Sequence, residues 1–393
     1  MPESIAILSA KRTPIGGMLG DLSSVTSPDL AAAAITAAVS SAGLTPQQID
    51  EVIMGCVLSA GLGQAPARQA ALAAGLDQST SCTSVNKVCG SGMNAVTTAC
   101  NTLQAGQAEI IVAGGMENMS QAPYLMPQVR MGYRFGERPL LDHMQVDGLQ
   151  DAFKGQSMGQ FAELCASKYN FTRSDQDAFA LESLRRAKYA IEQGFFKQEI
   201  VPVTVTSKKQ SHTIEHDQQP LSANPEKISK LPPAFDKQGT ITAANASSIS
   251  DGAAALILTS TINAQILGLK PIALIHGYDQ AANEPEWFTT APVTAIQKTL
   301  QRVNWTVRDV DLWEINEAFA VVPMAVMHDL DIAHKKVNIN GGACALGHPI
   351  GASGARIIVS LIHALQQTDG KKGIASLCIG GGEATAVALE LLQ

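Results

Sequence analysis

Two cysteines and one histidine stand in surroundings that could make them reactive. Cys89 lies in Val85-Asn86-Lys87-Val88-Cys89-Gly90-Ser91-Gly92, where a strand-like run meets the first turn of a helix. Free backbone N–H groups and the helix dipole at such a junction favour a thiolate. The following glycines let a substrate carbonyl approach the main chain. This is the setting of an activated nucleophile with its oxyanion donor built in; a buried core cysteine is the plainer reading. His348 lies between Gly347 and Pro349 on a Gly-rich loop ahead of a helix, a poor place for packing, and an imidazole there suits proton removal from a thiol. His212, His216, His328 and His334 read as surface loop histidines. Cys378 ends an apolar strand and precedes Gly380, Gly381 and Gly382, whose amides can form an anion nest, although a core cysteine would look the same. Asn316, after the run Leu312-Trp313-Glu314-Ile315, can position a water or a carbonyl, and Glu317 reads as a helix-start residue.

These groups need a scaffold, and the sequence supplies an alternating one. Short runs rich in Ile and Val predict strands over 4–8, 51–54, 109–113, 255–258, 312–315 and 373–378. Helices are expected over 28–41, 93–104, 175–193 and 355–366, the first with Ser27 as N-cap and Gly43 beyond its end. Alternation of this kind indicates α/β architecture. The two ends also look alike. Gly90-Ser91-Gly92 opens a helix followed by a strand ending in Ala113-Gly114-Gly115, and Ala352-Ser353-Gly354 opens one followed by a strand ending in Gly380-Gly381-Gly382. The offset of roughly 260 residues reads as a duplication, which implies two similar domains. Expected boundaries are 1–120 for the first half, completed by about 246–270, then 121–245 as a loop or lid insertion, and 271–393 for the second half. The insertion carries Pro123, Pro127, Pro139, Pro220, Pro225, Pro232, Pro233 and polar runs such as Lys208-Lys209-Gln210.

Composition narrows the function classes. Only 16% of residues are charged while 46% are hydrophobic, a shortage of solvated surface that favours an oligomer. A net charge of −7 argues against a nucleic-acid partner, which needs clustered Lys and Arg. The seven cysteines are odd in number and not closely paired, so neither a disulfide framework nor a zinc site is expected, and a reducing cytoplasm fits. The start, Met1-Pro2-Glu3-Ser4-Ile5, has no leader pattern, and residues 30–39 are too short to span a bilayer, so no membrane association is expected.

Four segments now carry a resemblance. Cys89-Gly90-Ser91-Gly92, Asn316-Glu317-Ala318-Phe319, Gly347-His348-Pro349-Ile350-Gly351-Ala352-Ser353-Gly354 and Cys378-Ile379-Gly380-Gly381-Gly382 resemble, in order and spacing, the signature blocks of thiolases. Asn245-Ala246-Ser247 with Ser250-Asp251-Gly252-Ala253-Ala254 resembles another thiolase block. The likeness runs end to end and looks closest to the acetyl-CoA acetyltransferase branch, partly through Met158-Gly159 after Gly148-Leu149. It implies two duplicated α/β domains packed as a layered αβαβα core with a lid insertion. It also implies reversible condensation of two acetyl-CoA to acetoacetyl-CoA and CoA.

By that resemblance Cys89 is the nucleophile, His348 its base, Asn316 the holder of a water, Cys378 the second acid/base, and the Cys89 and Gly380 amides an oxyanion hole. Ser247, Met158, Leu149, Phe235, Ala243, Ala318, Phe319 and Phe288 match positions along the family's coenzyme A channel. It further implies a homotetramer built as a dimer of dimers, with no metal and no cofactor beyond the coenzyme A thioesters. Departures are visible. Ser157 stands where acetoacetyl-specific members often carry His, which predicts a weaker or water-mediated pantetheine contact. Gln218-Gln219-Pro220-Leu221 offers no potassium-binding tyrosine, so potassium is not supported. Phe288 matches an aromatic position of thiolases that accept 2-methyl-branched substrates, and Cys344 reads as packing. A ketoacyl synthase, a long-chain degradative thiolase and a non-catalytic acyl-CoA binder are the rival readings. Cys378 and the Asn316 block argue against the first, Met158 against the second, and the four filled catalytic positions against the third.

Overall fold

The structure, a computed structural model, describes residues 4–206 and 210–392; Met1, Pro2, Glu3, Lys208 and Lys209 of the sequence reading lie outside them. The first half runs β1 (Ile5–Arg12), α1 (Ser27–Ser41), β2 (Glu51–Gly55), α2 (Pro66–Ala73), β3 (Ser81–Val85), α3 (Ser91–Gln104) and β4 (Ile110–Asn118). Its last strand, β5 (Ser250–Ser260), follows an excursion that holds α4 (Met158–Tyr169), α5 (Arg173–Gln193) and two short hairpins. The second half runs β6 (Ala273–Ala282), α6 (Ala291–Val303), β7 (Leu312–Ile315), α7 (Val321–Leu330), α8 (Ile350–Thr368), β8 (Lys372–Ile379) and β9 (Glu383–Leu391).

Strand pairing repeats between the halves. One path reads β3-β2-β4-β5-β1 and the other β7-β8-β9-β6. β2 runs parallel to β4 as β7 does to β8. β5 is antiparallel to β4 and β1, as β9 is to β8 and β6. The halves join where Ile5 and Ile7 of β1 meet Ile275 and Ala273 of β6. The duplication read from the two glycine-flanked helices therefore extends to the order of four strands in each half, with β3 an extra edge strand of the first.

The middle layer is α3 against α8. Met93, Val96 and Ala99 share an apolar cluster with Ile357, Ile358, Leu361 and strands of both halves. α1 and α2 cover the outer face of the first half, and α6 and α7 that of the second, which gives the expected αβαβα order. Two glycines set the inner spacing. A Cβ on Gly354 would lie 2.3 Å from Met93 N, and one on Gly92 2.8 Å from Ala355 N. Any side chain there would force the helices apart, at a cost of ~1–3 kcal/mol or more. The glycines after Cys89 also serve packing: Gly92 makes the helix contact, and Ile379 lies where a side chain on Gly90 would go.

Several boundaries also differ. α1 is capped by Thr26 rather than Ser27: Asp29 N donates to Thr26 Oγ1 at 3.2 Å, while Ser27 Oγ accepts from Asn118 N at 2.8 Å. α8 begins at Ile350 instead of 355, because the glycines of its first turns are held by packing. β6 and β9 are not among the expected strands, and the strand-like run read from Val85 toward Cys89 lies earlier, as β3. Among the described residues no helix is long and apolar enough to cross a membrane.

Candidate active site

Cys89 sits on the turn between β3 and α3. Val88 before it is β-branched yet held at φ +46°, a left-handed conformation that such residues resist. The turn is locked from both sides. Ser91 Oγ accepts from Lys87 N at 2.8 Å and donates to Val88 O at 2.7 Å, and Asn86 Oδ1 accepts from Val88 N at 2.9 Å. Strain of this kind persists only where surroundings over-determine it, and here it presents a sulfur. The thiolate expectation needs correction. Burial pushes the Cys89 thiol up to about 11, although the backbone amides of Gly380 and of Cys89 itself pull the other way. Desolvation outweighs the amides, so the resting group is a thiol that needs a base.

His348 supplies one by geometry. Its main chain is pinned by donation from His348 N to Ser248 O and Ser250 Oγ, each at 3.2 Å. Ser353 Oγ donates to Pro349 O at 3.0 Å, which leaves it to accept from His348 Nδ1 at 2.6 Å. The network therefore assigns the proton to Nδ1 and the free lone pair to Nε2. Burial, helped by the positive charge of Arg356, pulls the imidazole down to about 3, so it stays a neutral base across the physiological range.

Asn316 follows β7, its N–H donating to Ser376 O at 3.0 Å and its Nδ2 lying 3.5 Å from His348 Nε2. Cys378 is fully buried at the end of β8, and burial, then repulsion from Cys89, pushes its thiol well above the ordinary value. Ile379, the next residue, packs against Gly90, which brings the two cysteine-bearing segments together.

Cys89, His348 and Gly380 open onto one cavity of about 430 Å3. Ser247, Met158, Leu149, Phe235, Ala243, Ala318, Phe319 and Phe288 all line it, so every channel position named from the sequence is brought together. Asn316 and Cys378 are buried beside the lining, Asn316 reaching it through His348 and Cys378 through its neighbour Cys89. The walls are assembled from distant segments by main-chain pairing: Ser247 N donates to Ala318 O at 2.9 Å, and Ala320 N to Asn245 O at 2.8 Å. Phe235 lies against bare backbone, for a Cβ on Gly159 would stand 2.3 Å from its ring. Ser157 also lines the cavity, but its N and Oγ both face Gln160 Oε1, at 3.0 and 3.5 Å, as the cap of α4.

Other residues went unread or were misread. Met119, Gln145, Ile249 and Ile350 also line the cavity. Glu317 is not a helix-start residue: α7 begins at Val321, and the buried carboxylate accepts from Ser183 Oγ at 2.8 Å, Asn338 Nδ2 at 2.8 Å and Cys344 N at 3.0 Å. It fastens the glycine loop that leads to His348. Glu117 does similar work beside Cys89, accepting from Val57 N, Leu58 N and, at 2.8 Å, Gly351 N. A charged residue inside an apolar strand was the signal available for it. His334 is half-buried and stacks on Phe179 at 4.9 Å, and His328 lies on α7 rather than a loop.

Comparison with known proteins agrees with this site. Residues 5–261 match the thiolase N-terminal domain and residues 269–391 the thiolase C-terminal domain. The chain is 49% identical over 393 residues to an acetyl-CoA acetyltransferase of Escherichia coli, covering 100% of both chains. A crystal structure of Acat5 thiolase from Ascaris suum in complex with coenzyme A superposes with a TM-score of 0.94 at 43% identity, covering 99% of this chain and 100% of that one. The Bacillus anthracis acetyl-CoA acetyltransferase gives a TM-score of 0.97 at 41% identity, covering 99% of each chain.

Proposed function

The chain belongs to the thiolase family, and we infer that it catalyses the reversible condensation of two acetyl-CoA to acetoacetyl-CoA and CoA. The observation that carries the reading is the meeting of Cys89, His348 and Gly380 at the floor of one largely apolar cavity. In the first half-reaction Cys89 Sγ attacks the thioester carbonyl and its proton passes to His348 Nε2. The tetrahedral oxyanion is held by His348 with a water on Asn316, and CoA leaves as a thiolate, which then takes the thiol proton of Cys378. In the second, the Cys378 thiolate removes a proton from the methyl of another acetyl-CoA. The carbanion attacks the acetyl carbonyl on Cys89, whose oxyanion the Cys89 and Gly380 amides receive, and Cys89 leaves and regains its proton from His348. Thiolysis is the same path reversed. No metal ion or further cofactor, potassium included, is needed to balance these steps. Incubation with acetyl-CoA followed by intact mass and peptide mapping tests the reading: an acetyl group on Cys89 is expected, and an unmodified enzyme would overturn it.

We also propose a cytoplasmic homotetramer. Met131 and Phe135 are 82% and 96% exposed on the excursion between β4 and α4, and Met126, Val129 and Leu140 accompany them. Such a patch suits a protein contact. The sheet also ends at β3, whose outer edge is unpaired in the single chain. Sedimentation at micromolar concentration is expected to show a tetramer, with Phe135→Ser shifting it to smaller species; a monomeric wild type would refute the proposal.

The acyl range is proposed to include 2-methylacetoacetyl-CoA. Phe288 is buried in the cavity wall, edge-on to Phe319 at 6.2 Å, so the wall is rigid and aromatic. Burying a methyl is worth ~0.8 kcal/mol, enough for tolerance but not for strong selectivity. Thiolysis rates of the branched and unbranched substrates, for wild type and Phe288→Met, decide it. A branched rate below about a thousandth of the unbranched, ~4 kcal/mol in the transition state, would mean that the methyl is excluded.

A further inference from the structure

We propose that Arg356 is the positioning residue that fixes the Asn316 carboxamide with its N–H toward His348. A carboxamide fits its site equally well in two orientations related by a half-turn, so its electrostatic partners decide between them. Arg356 Nη2 lies 3.4 Å from Asn316 Oδ1. A guanidinium has only donors, so the group facing it is the oxygen, and Nδ2 is left to face His348 Nε2 at 3.5 Å. The opposite end agrees, because Ser353 holds the imidazole proton on Nδ1 and leaves Nε2 as an acceptor. Ser353 and Arg356 are three residues apart on one face of α8, so a single helix sets both the tautomer and the amide. Without Arg356 a flipped amide would place Oδ1 where negative charge develops on the substrate oxygen, and repel it.

Stability does not account for this arginine. It is 2% exposed, its contact with Glu314 Oε2 is a long 3.5 Å, and its Nε and Nη1 have no hydrogen-bond partner within the protein. A buried ion so weakly paired returns less than its desolvation costs, and replacing Arg356 and Glu314 together by uncharged side chains of similar size would cost little. What the group does make is the contact with Asn316.

The inference rests on the acyl-transfer reading above, and the test separates the two. Thiolysis kcat and KM are measured for Asn316→Ala, Arg356→Met, Arg356→Lys and the double variant Arg356→Met/Asn316→Ala. Asn316→Ala is expected to lower kcat by about 10²–10³, the usual effect of losing one oxyanion donor. Arg356→Met is expected to lower kcat by about 10–100-fold, with KM within about threefold, and Arg356→Lys to recover part of it. The double variant is expected to be no worse than Asn316→Ala, since nothing remains to orient. If Arg356→Met does not fold, Arg356→Met/Glu314→Gln, which removes both charges, replaces it. Full activity in Asn316→Ala would refute the acyl-transfer roles themselves. An impaired Asn316→Ala with unchanged kcat in Arg356→Met, or with losses that multiply in the double variant, would overturn the positioning role alone.

Discussion

Replacing Cys378 with alanine is expected to leave an enzyme that still takes an acetyl group on Cys89 but barely condenses or cleaves. Replacing Cys89 is expected to abolish both. The two thiols differ in what surrounds them. Cys89 faces the cavity beside the Gly380 amide and the base His348, so it has a substrate carbonyl to attack and a route for its proton. Cys378 is fully buried behind it, and burial holds its proton firmly. A group of that kind is a poor first nucleophile, but once it has given its proton to the departing CoA its thiolate is a strong base, matched to a carbon acid. Single-turnover acetylation in Cys378→Ala is therefore expected within about tenfold of wild type, while steady-state thiolysis falls by about 10³ or more, toward the upper part of the range for loss of a general acid/base. Near-normal turnover in Cys378→Ala would refute the assignment, and so would acetylation of Cys89→Ala at Cys378.

The parts of this site that the sequence showed are those where chemistry overrides packing. A histidine among glycines and a cysteine at a strand–helix junction are anomalous locally, so Cys89 and His348 could be read without neighbours. The positions that line the cavity could not be derived from the residues themselves and came through family resemblance, because Phe235, Ala243 and Ser247 gain their meaning only where the chain folds back. Arg356 shows the limit most clearly. It is the single Arg, Lys, Asp or Glu of α8, and only its burial against Asn316 gives it a role. The missed and misplaced strands have a different cause. β9, Glu-Ala-Thr-Ala-Val-Ala-Leu-Glu-Leu, is rich in good helix formers, and tertiary pairing with β6 and β8 overrides that propensity. β3, Ser-Cys-Thr-Ser-Val, is polar because it forms the sheet edge, where the alternation that marks a covered strand is absent.

The largest loss of stability is expected at Arg12, the last residue of β1. Its Nε donates to Glu199 Oε1 at 2.5 Å, and Nη1 and Nη2 reach Asp217 Oδ1 and Oδ2 at 2.7 and 2.9 Å. All three side chains are shut off from solvent. Burial works against the guanidinium charge, but the two carboxylates outweigh it and hold the proton more firmly than usual. Both carboxylates belong to the long excursion between β4 and β5, so Arg12 ties that excursion to the core sheet. Arg12→Met would leave two buried carboxylates without their counterion, and breaking a buried pair in this way costs ~3–5 kcal/mol. The triple variant Arg12→Met/Glu199→Gln/Asp217→Asn removes the charges together and is expected to recover at least half of that loss. Packing over the Phe196 ring, which the guanidinium covers at 5.0 Å, would remain only in part in both. Urea midpoints of the three proteins at one fixed protein concentration measure the difference, since oligomer assembly makes apparent stability depend on concentration. A loss below about 1 kcal/mol in Arg12→Met, or a triple variant no better than the single one, would show that the buried charges do not hold the excursion in place.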